Sequence, residues 1–294
     1  MSYLEAAVLG VVQGLTEFLP ISSSAHLRIV GEVLPSAADP GATFTAVTQI
    51  GTEAAVLVYF RTDIARIATA WTRSILRSRG RPPETSGADL QGSTVADDAR
   101  TGWLIVIGSL PIAVAGYLLQ DLVRNTFRSL WLIATVLIVF GLLLAVADRA
   151  GRRTLELDRL TYRDGLLFGL AQTLALVPGV SRSGATTTTG LALGYTRPAA
   201  ARYAFLLAMP AVFGSGLYEL RAAVSCQSAA DTCVSVYGLG ETLVATAVAF
   251  GVGLAVIAAL MNYISRRSFT PFVVYRMGLG VILFVLLSAG VVTA

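Results

Sequence analysis

Long apolar segments alternate with short polar ones along most of the chain. Six apolar segments are long enough to span a membrane and carry few charges: 42–60, 101–120, 130–147, 199–221, 239–262 and 271–292. Two others, at about 1–34 and 165–195, are apolar but interrupted by proline, glycine, serine and charged residues. Irregular polar backbone is tolerated at membrane depth only where protein or a cavity covers it, so we predict that these two are re-entrant helical hairpins.

The composition agrees with this pattern. The chain has 294 residues, of which 55% are hydrophobic and 14% charged, and its mean hydropathy is +0.70. These values are too apolar for an ordinary soluble domain. We therefore predict an all-α polytopic membrane protein with about six transmembrane helices, folded as a single membrane domain.

The basic residues predict the orientation. All 22 are arginines; seven lie in 61–100, five in 148–164, two in 196–202 and two in 263–270. The positive-inside rule places these four segments in the cytoplasm and both termini outside. We predict that 61–100 is a basic cytoplasmic loop, and the stretch RSRGRPPETSGADLQGSTVADDAR within it, rich in proline, glycine, serine and charge, predicts a mobile loop rather than a domain. A net charge of +4 spread over membrane loops gives no reason to expect nucleic-acid binding.

The two interrupted segments also resemble each other. GVVQGLTEFLP aligns with GLLFGLAQTL, which places Glu17 opposite Gln172, and PISSSA aligns with PGVSRSGA. Each segment is followed by three predicted spans. Because three is an odd number, the two halves must be inverted relative to each other. We predict an inverted-topology repeat with halves at about 1–147 and 165–294.

The first polar stretch, QGLTEFLPISSSAH, carries an acid and an amide on one helix face. Gln13 and Glu17 are four residues apart. Pro20 should break that helix, and the serines after it favour the start of a new one, whose N–H groups form an anion site. Glu17 is then either a solvated acid, a metal ligand or a proton acceptor, and Gln13 could support a metal through its oxygen.

The new helix carries His26, the single histidine of the chain, just after Ser22, Ser23 and Ser24. A lone histidine is more often a buried hydrogen-bonding group than a catalyst. Its position makes a serine–histidine pair or a histidine nucleophile for phosphoryl transfer geometrically feasible. The sequence leaves both alternatives open.

The second polar stretch, PGVSRSGATTTT, contains the residue types that bind phosphate. Ser181, Arg182, Ser183 and Thr186 offer hydroxyls and a guanidinium at a predicted helix start. A packing interface of small hydroxyl residues is the alternative, but it does not suit the arginine, whose charge needs a partner at depth. Arg276, inside an apolar span, is predicted to contact either the acid of the first stretch or a phosphate.

The two cysteines, Cys226 and Cys233, lie in the polar stretch SCQSAADTCVS. They are either two loop thiols or a disulfide on the oxidising side of the membrane.

The two polar stretches resemble the signature motifs of the undecaprenyl-diphosphate phosphatase family, also called bacitracin resistance proteins. QGLTEFLPISSSAH is similar to the first motif and PGVSRSGAT to the second, in the same order and over the full chain length. The resemblance implies hydrolysis of undecaprenyl diphosphate to the monophosphate lipid carrier of peptidoglycan synthesis, in the bacterial plasma membrane. It also implies dependence on a divalent metal ion, Mg²⁺ or Ca²⁺, and homodimers.

The resemblance also assigns roles to residues. The acid motif falls on Glu17 and Gln13, where many members have a second glutamate instead of Gln13. Ser23 and His26 fall at the catalytic positions, and the phosphate-binding motif falls on Ser181, Arg182, Ser183 and Thr186. We expect Arg182 and the helix N-termini, with Ser22 and Arg276, to bind the diphosphate, Glu17 to bind the metal or accept a proton, and Ser23 with His26 to supply the nucleophile.

A protein of another class would carry the same architecture. Inverted repeats and broken helices are usual in secondary transporters, so a transporter or flippase of an anionic isoprenyl lipid is the alternative. Such a protein would be indifferent to the loss of Ser23 or His26.

Overall fold

The structure is a computed structural model that describes residues 2–36, 39–77, 89–124, 127, 129–228 and 237–292. Short 3₁₀ turns lie at Leu157–Arg159 and Leu174–Leu176. The α-helices of the described residues are α1 Tyr3–Thr16, α2 Ser23–Val33, α3 Gly41–Tyr59, α4 Arg61–Arg77, α5 Asp89–Leu118, α6 Gln120–Arg124, α7 Leu130–Ala150, α8 Tyr162–Thr173, α9 Arg182–Leu193, α10 Arg197–Ser228, α11 Leu239–Ile264 and α12 Thr270–Ser288.

Five of these helices, α5, α7, α10, α11 and α12, are long and apolar enough to cross a membrane. The sixth predicted span is α3, which has 19 residues but is interrupted by polar side chains such as Gln49 and Glu53. The prediction of an all-α polytopic membrane protein is confirmed. The side chain of Cys226 and the whole of Cys233 lie outside the described residues. A disulfide between them therefore stays one of the two alternatives given above.

The described parts of segment 61–100, residues 61–77 and 89–100, are helical and do not form the predicted loop; residues 78–88 lie outside the described residues. The segment contains α4 and the start of α5, which pack against each other. Arg66 of α4 forms a 2.9 Å ion pair with Asp98 of α5, and Trp71 packs edge-on against Trp103. The charged residues of α4 belong to an amphipathic helix, whose apolar residues recur with helical spacing.

Each interrupted segment forms a helical hairpin that returns to the end at which it begins. Hairpin 1 (residues 3–33) consists of α1 and α2, and the N–H of Ser36 after it donates to Glu5 Oε1 at 3.2 Å. Hairpin 2 (residues 162–193) consists of α8 and α9, and the hydroxyl of Tyr195 after it donates to Asp164 Oδ2 at 2.8 Å. These contacts hold the start and the end of each hairpin together.

The arginine-rich segments meet at one end of the helix bundle. Asp148 Oδ1 accepts a 2.5 Å hydrogen bond from Arg197 Nε, and its Oδ2 accepts one of 3.0 Å from the N–H of Phe269. Asp63 forms an ion pair with Arg202. Residues from all four segments that the positive-inside rule placed in the cytoplasm therefore lie together at one end of the helix bundle.

The hairpins pack across the two halves of the sequence. Hairpin 1 lies against α11 of the second half, and hairpin 2 lies against α5 of the first half. Both contacts need a glycine on the hairpin: a Cβ at Gly14 would lie 2.7 Å from Val252 Cβ, and one at Gly169 would lie 2.5 Å from the carbonyl oxygen of Gly108. This exchange brings the tips of the two hairpins together inside the bundle.

Candidate active site

The tip of each hairpin is a break between two helices. Break 1 covers residues 17–22 and break 2 covers residues 174–181. Both breaks end on a serine with positive φ, 74° at Ser22 and 67° at Ser181, whose hydroxyl accepts a hydrogen bond from the N–H three residues later. A backbone of this kind costs on the order of 1–3 kcal/mol per residue and is found mainly at functional sites.

The two breaks touch each other directly. The N–H of Gly179 donates to Ser22 Oγ at 3.1 Å. In return, Ser183 Oγ lies 3.3 Å from the carbonyl oxygen of Glu17 and 3.2 Å from that of Leu19. The polar residues of both sequence motifs are thus parts of one site.

Arg276 ties the breaks together from behind. It is fully buried, and it donates to Pro20 O at 2.9 Å, Gly179 O at 2.8 Å, Val180 O at 3.1 Å and Leu137 O at 3.3 Å. The breaks leave carbonyls without helical partners, and the guanidinium supplies the missing donors. The structure therefore corrects the prediction that Arg276 contacts the acid of the first motif or a phosphate.

Glu17 is the centre of the site. Its Oε1 is in an ion pair with Arg182, while its Oε2 accepts hydrogen bonds from Gln13 Nε2 at 2.8 Å and Ser23 Oγ at 2.5 Å. Arg182, whose charge was predicted to need a partner at depth, thus has Glu17 as that partner. The short bond from Ser23 gives that hydroxyl a carboxylate as its proton acceptor.

His26 is placed differently from the prediction. Its Nδ1 lies 2.7 Å from the carbonyl oxygen of Ser22, its Nε2 lies 2.7 Å from the hydroxyl of Tyr275, and the two rings stack. Both ring nitrogens are therefore engaged away from Ser23. The predicted serine–histidine pair is replaced by a Ser23–Glu17 pair, and Tyr275 is a contact that the sequence gave no reason to expect.

A cavity of about 480 Å³ opens above this network. Its walls come from α3, α5 and α10, and its polar floor consists of Glu17, Ser22, Ser23, Ser24, Ser181 and Arg182. The predicted phosphate-binding residues divide into two groups. Ser22, Ser181 and Arg182 face the cavity, whereas Ser183 bonds to break 1 and Thr186 Oγ1 donates to the carbonyl of Arg182 at 2.7 Å.

Two buried oxygens beside the floor have no hydrogen-bond partner within the described structure, Gln13 Oε1 and Glu53 Oε1. The chain thus has an acid near the site that we did not single out from the sequence. The sequence does contain a signal for this residue. Glu53 is the one acidic residue in the predicted span 42–60, and an acid inside a membrane span is a candidate for a functional residue. Carboxylate and amide oxygens suit hard divalent cations, although the described residues contain no group of three or more histidine, cysteine or acidic side chains that could hold a metal.

Comparison with known proteins gives a consistent result. Residues 6–282 match the family described as bacitracin resistance protein BacA. The chain is 60% identical over 294 residues to an undecaprenyl-diphosphatase of Micrococcus luteus, and 59% identical over 295 residues to one of Clavibacter michiganensis, with all of each chain covered. It is also 53% identical to undecaprenyl-diphosphatase 2 of Agrobacterium fabrum, over the whole of this chain and 99% of the other.

Proposed function

The chain belongs to the bacitracin resistance protein BacA family, and we propose that the cavity between its hairpins is the site of phosphate hydrolysis. The protein is an integral membrane hydrolase that converts undecaprenyl diphosphate to undecaprenyl phosphate and inorganic phosphate. This reaction recycles the lipid carrier of peptidoglycan synthesis and confers resistance to bacitracin. The observation that carries the placement of the site is the Glu17 carboxylate, which joins Ser23 to Arg182 on the cavity floor.

Arg182 and two helix N-termini bind the diphosphate in this proposal. Helices α2 and α9 begin at Ser23 and Arg182, so their free N–H groups and positive dipole ends lie at the cavity floor. Ser22 and Ser181 lie beside them. Positioned positive charge is what phosphoryl transfer needs most, because its transition state spreads negative charge over the phosphoryl oxygens.

Ser23 supplies the nucleophile in this proposal, and Glu17 accepts its proton. The Ser23 oxygen forms a bond to the terminal phosphorus, the anhydride P–O bond breaks, and undecaprenyl phosphate leaves. Water then attacks the phosphoserine and the P–O bond to Ser23 breaks. The proton held by Glu17 passes to the Ser23 oxygen, and the proton lost by the water leaves with the inorganic phosphate. His26 lies between the carbonyl of Ser22 and the hydroxyl of Tyr275 and contacts both. In this proposal it acts as a positioning residue.

Glu17 and Gln13 would hold a divalent metal ion, Mg²⁺ or Ca²⁺. The unpartnered Gln13 Oε1 beside the Glu17 carboxylate supports this assignment. When bound, such an ion supplies positive charge that offsets the charge of the diphosphate.

The isoprenyl tail needs an apolar path out of the cavity. An open groove of about 560 Å³ lies on the outside of α5, and it is almost wholly apolar. It is lined by Ile107, Leu110, Pro111, Val114, Ala115, Leu118, Leu119 and Leu166. The cavity is lined by the neighbouring α5 residues 112, 113, 116 and 117. We propose that the tail leaves the cavity past α5 and lies along this groove.

The mouth of the cavity lies far along its helices from the arginine-rich end. Ala42 is in the first turn of α3, Tyr117 is near the end of α5, and Glu219 is in the second half of α10. With the arginine-rich end in the cytoplasm, the cavity faces the outside and both termini are extracytoplasmic. We also propose that the protein is a homodimer, as the motif resemblance implies.

Phosphate release by the purified protein in detergent tests the proposal. We expect release from an isoprenyl diphosphate by the wild type, loss of release in Ser23→Ala, strongly reduced but measurable release in Glu17→Gln, and retained release in Ser109→Ala, a buried serine of α5 outside the cavity. A flippase would bind the lipid but release no phosphate. Wild-type release that survives Ser23→Ala would refute the assigned nucleophile.

A further inference from the structure

Glu53 belongs to the same helix face that forms one wall of the cavity. Ala42, Thr45 and Gln49 of α3 line the cavity, and Glu53 follows Gln49 by four residues, which places it on the same face one turn deeper. Its residue surface is 2% exposed. The carboxyl group therefore lies at the inner end of the wall, below the polar floor.

The charge of this carboxyl is not offset by an ion pair in the described part of the chain. Its Oε1 is buried without a hydrogen-bond partner, and the charged side chains that act on it are Arg182 and Glu17. Arg182 already pairs with Glu17. The three side chains together carry one excess negative charge, and burying an uncompensated carboxylate is very costly.

Gln13 presents a second unsatisfied oxygen next to the same carboxylate. Its Nε2 donates to Glu17, so the amide plane is fixed, yet its Oε1 is buried and has no donor. Gln13 Oε1 and Glu53 Oε1 are thus two buried acceptors without donors, and both side chains interact with Glu17. A bound cation would satisfy both oxygens. This chain has an amide at position 13 and a second buried acid, Glu53, on α3.

We propose that Glu53 is the second carboxylate of the site and that it binds one hard divalent cation together with Glu17 and Gln13. This deepens the proposed function, on which it rests, because the cation would serve the same phosphate site. Two carboxylates and an amide oxygen are sufficient for a cation such as Mg²⁺, which keeps several water ligands and often takes one or two carboxylates from the protein.

Binding of Mn²⁺ to chelator-stripped protein in detergent tests this inference without substrate. The loss of the free Mn²⁺ paramagnetic resonance signal during titration gives the dissociation constant. We expect Glu53→Gln, which keeps the shape of the side chain, to weaken binding by about tenfold or more. Glu5→Gln is the matched control, since Glu5 is also a buried acid of the hairpin region but lies at the far end of α1; its affinity should equal that of the wild type.

A second variant asks whether positions 13 and 53 share the ion. Gln13→Glu in the Glu53→Gln background moves the carboxylate from α3 to α1, and we expect it to restore Mn²⁺ affinity. Wild-type affinity in Glu53→Gln would overturn the inference and would identify Glu53 as a buried neutral acid. A double variant as weak as Glu53→Gln alone would also overturn it. Phosphate release by the wild type, measured separately, decides the proposed function whatever these titrations show.

Discussion

Replacing Arg276 tests whether the two breaks are held together by one buried guanidinium. Arg276→Met keeps an apolar stem of similar length and removes the donors to Pro20, Gly179 and Val180, which lie outside regular helix. We expect the two breaks to lose their fixed relation. The phosphate site should then lose both stability and activity.

The magnitude follows from the hydrogen bonds that are lost. Three buried carbonyls are left without this donor, at about 1–3 kcal/mol each. The variant no longer has to bury a cation, and the desolvation energy saved offsets part of this loss. We therefore expect a net loss of about 3–5 kcal/mol in the free energy of unfolding, the usual cost of removing one partner of a buried charged contact. With a shift of roughly 2 °C for each kcal/mol in a chain of this size, the midpoint of thermal unfolding should fall by ~6–10 °C.

Thermal unfolding in detergent, followed by tryptophan fluorescence, measures this change. Arg159→Met is the control, because the Arg159 side chain is 74% exposed, and its midpoint should stay at the wild-type value. If Arg276 contacted phosphate instead, Arg276→Met would raise KM and leave the unfolding midpoint unchanged. That result, or a midpoint within about 2 °C of wild type together with full activity, would refute the reasoning.

Three further predictions concern the site and its packing. In steady-state assays of phosphate release, Arg182→Gln should lower kcat/KM by about tenfold or more, the value of a lost charge-assisted hydrogen bond to the phosphoryl group, whereas Ser23→Ala should abolish kcat. A kcat/KM within about twofold of the wild-type value in Arg182→Gln would contradict this. His26→Ala should keep measurable activity, since the ring only positions break 1, and a loss as complete as that of Ser23→Ala would make the ring catalytic. Gly169→Val should lower both the unfolding midpoint and the activity, because a Cβ at position 169 would lie 2.5 Å from backbone of α5. Gly251→Val should lower neither, because a Cβ there would have nothing within 4 Å. Equal effects of the two substitutions would contradict the described packing of hairpin 2 against α5.

The breaks could be located from the sequence because their chemistry is exceptional for a membrane segment. Pro20 and Pro178 disfavour helical backbone at the residue before them. The serines that follow favour a new helix start, and an arginine at membrane depth needs a partner. The need of Arg182 for an anionic partner was also foreseeable, and Glu17, in the corresponding stretch of the other half, was a candidate.

The directions of individual side chains could not be read from the same pattern. His26 turns its Nδ1 to the carbonyl one turn before it and its Nε2 to Tyr275, a residue 249 positions away in sequence. Arg276 faces backbone carbonyls because the fold places both breaks around it. Segment 61–77 was misjudged for a different reason, since its high charge suggested a loop although its apolar residues recur with helical spacing.

A double-mutant cycle between Glu17 and Arg182 tests the central claim that the two motifs form one catalytic site. The values of kcat/KM for phosphate release by wild type, Glu17→Gln, Arg182→Gln and the double variant give the coupling free energy. We predict a coupling of at least about 1 kcal/mol, and additive effects when Glu17→Gln is combined with Arg266→Gln at the far end of the bundle. Additivity within about 0.5 kcal/mol for Glu17 and Arg182 would contradict the account.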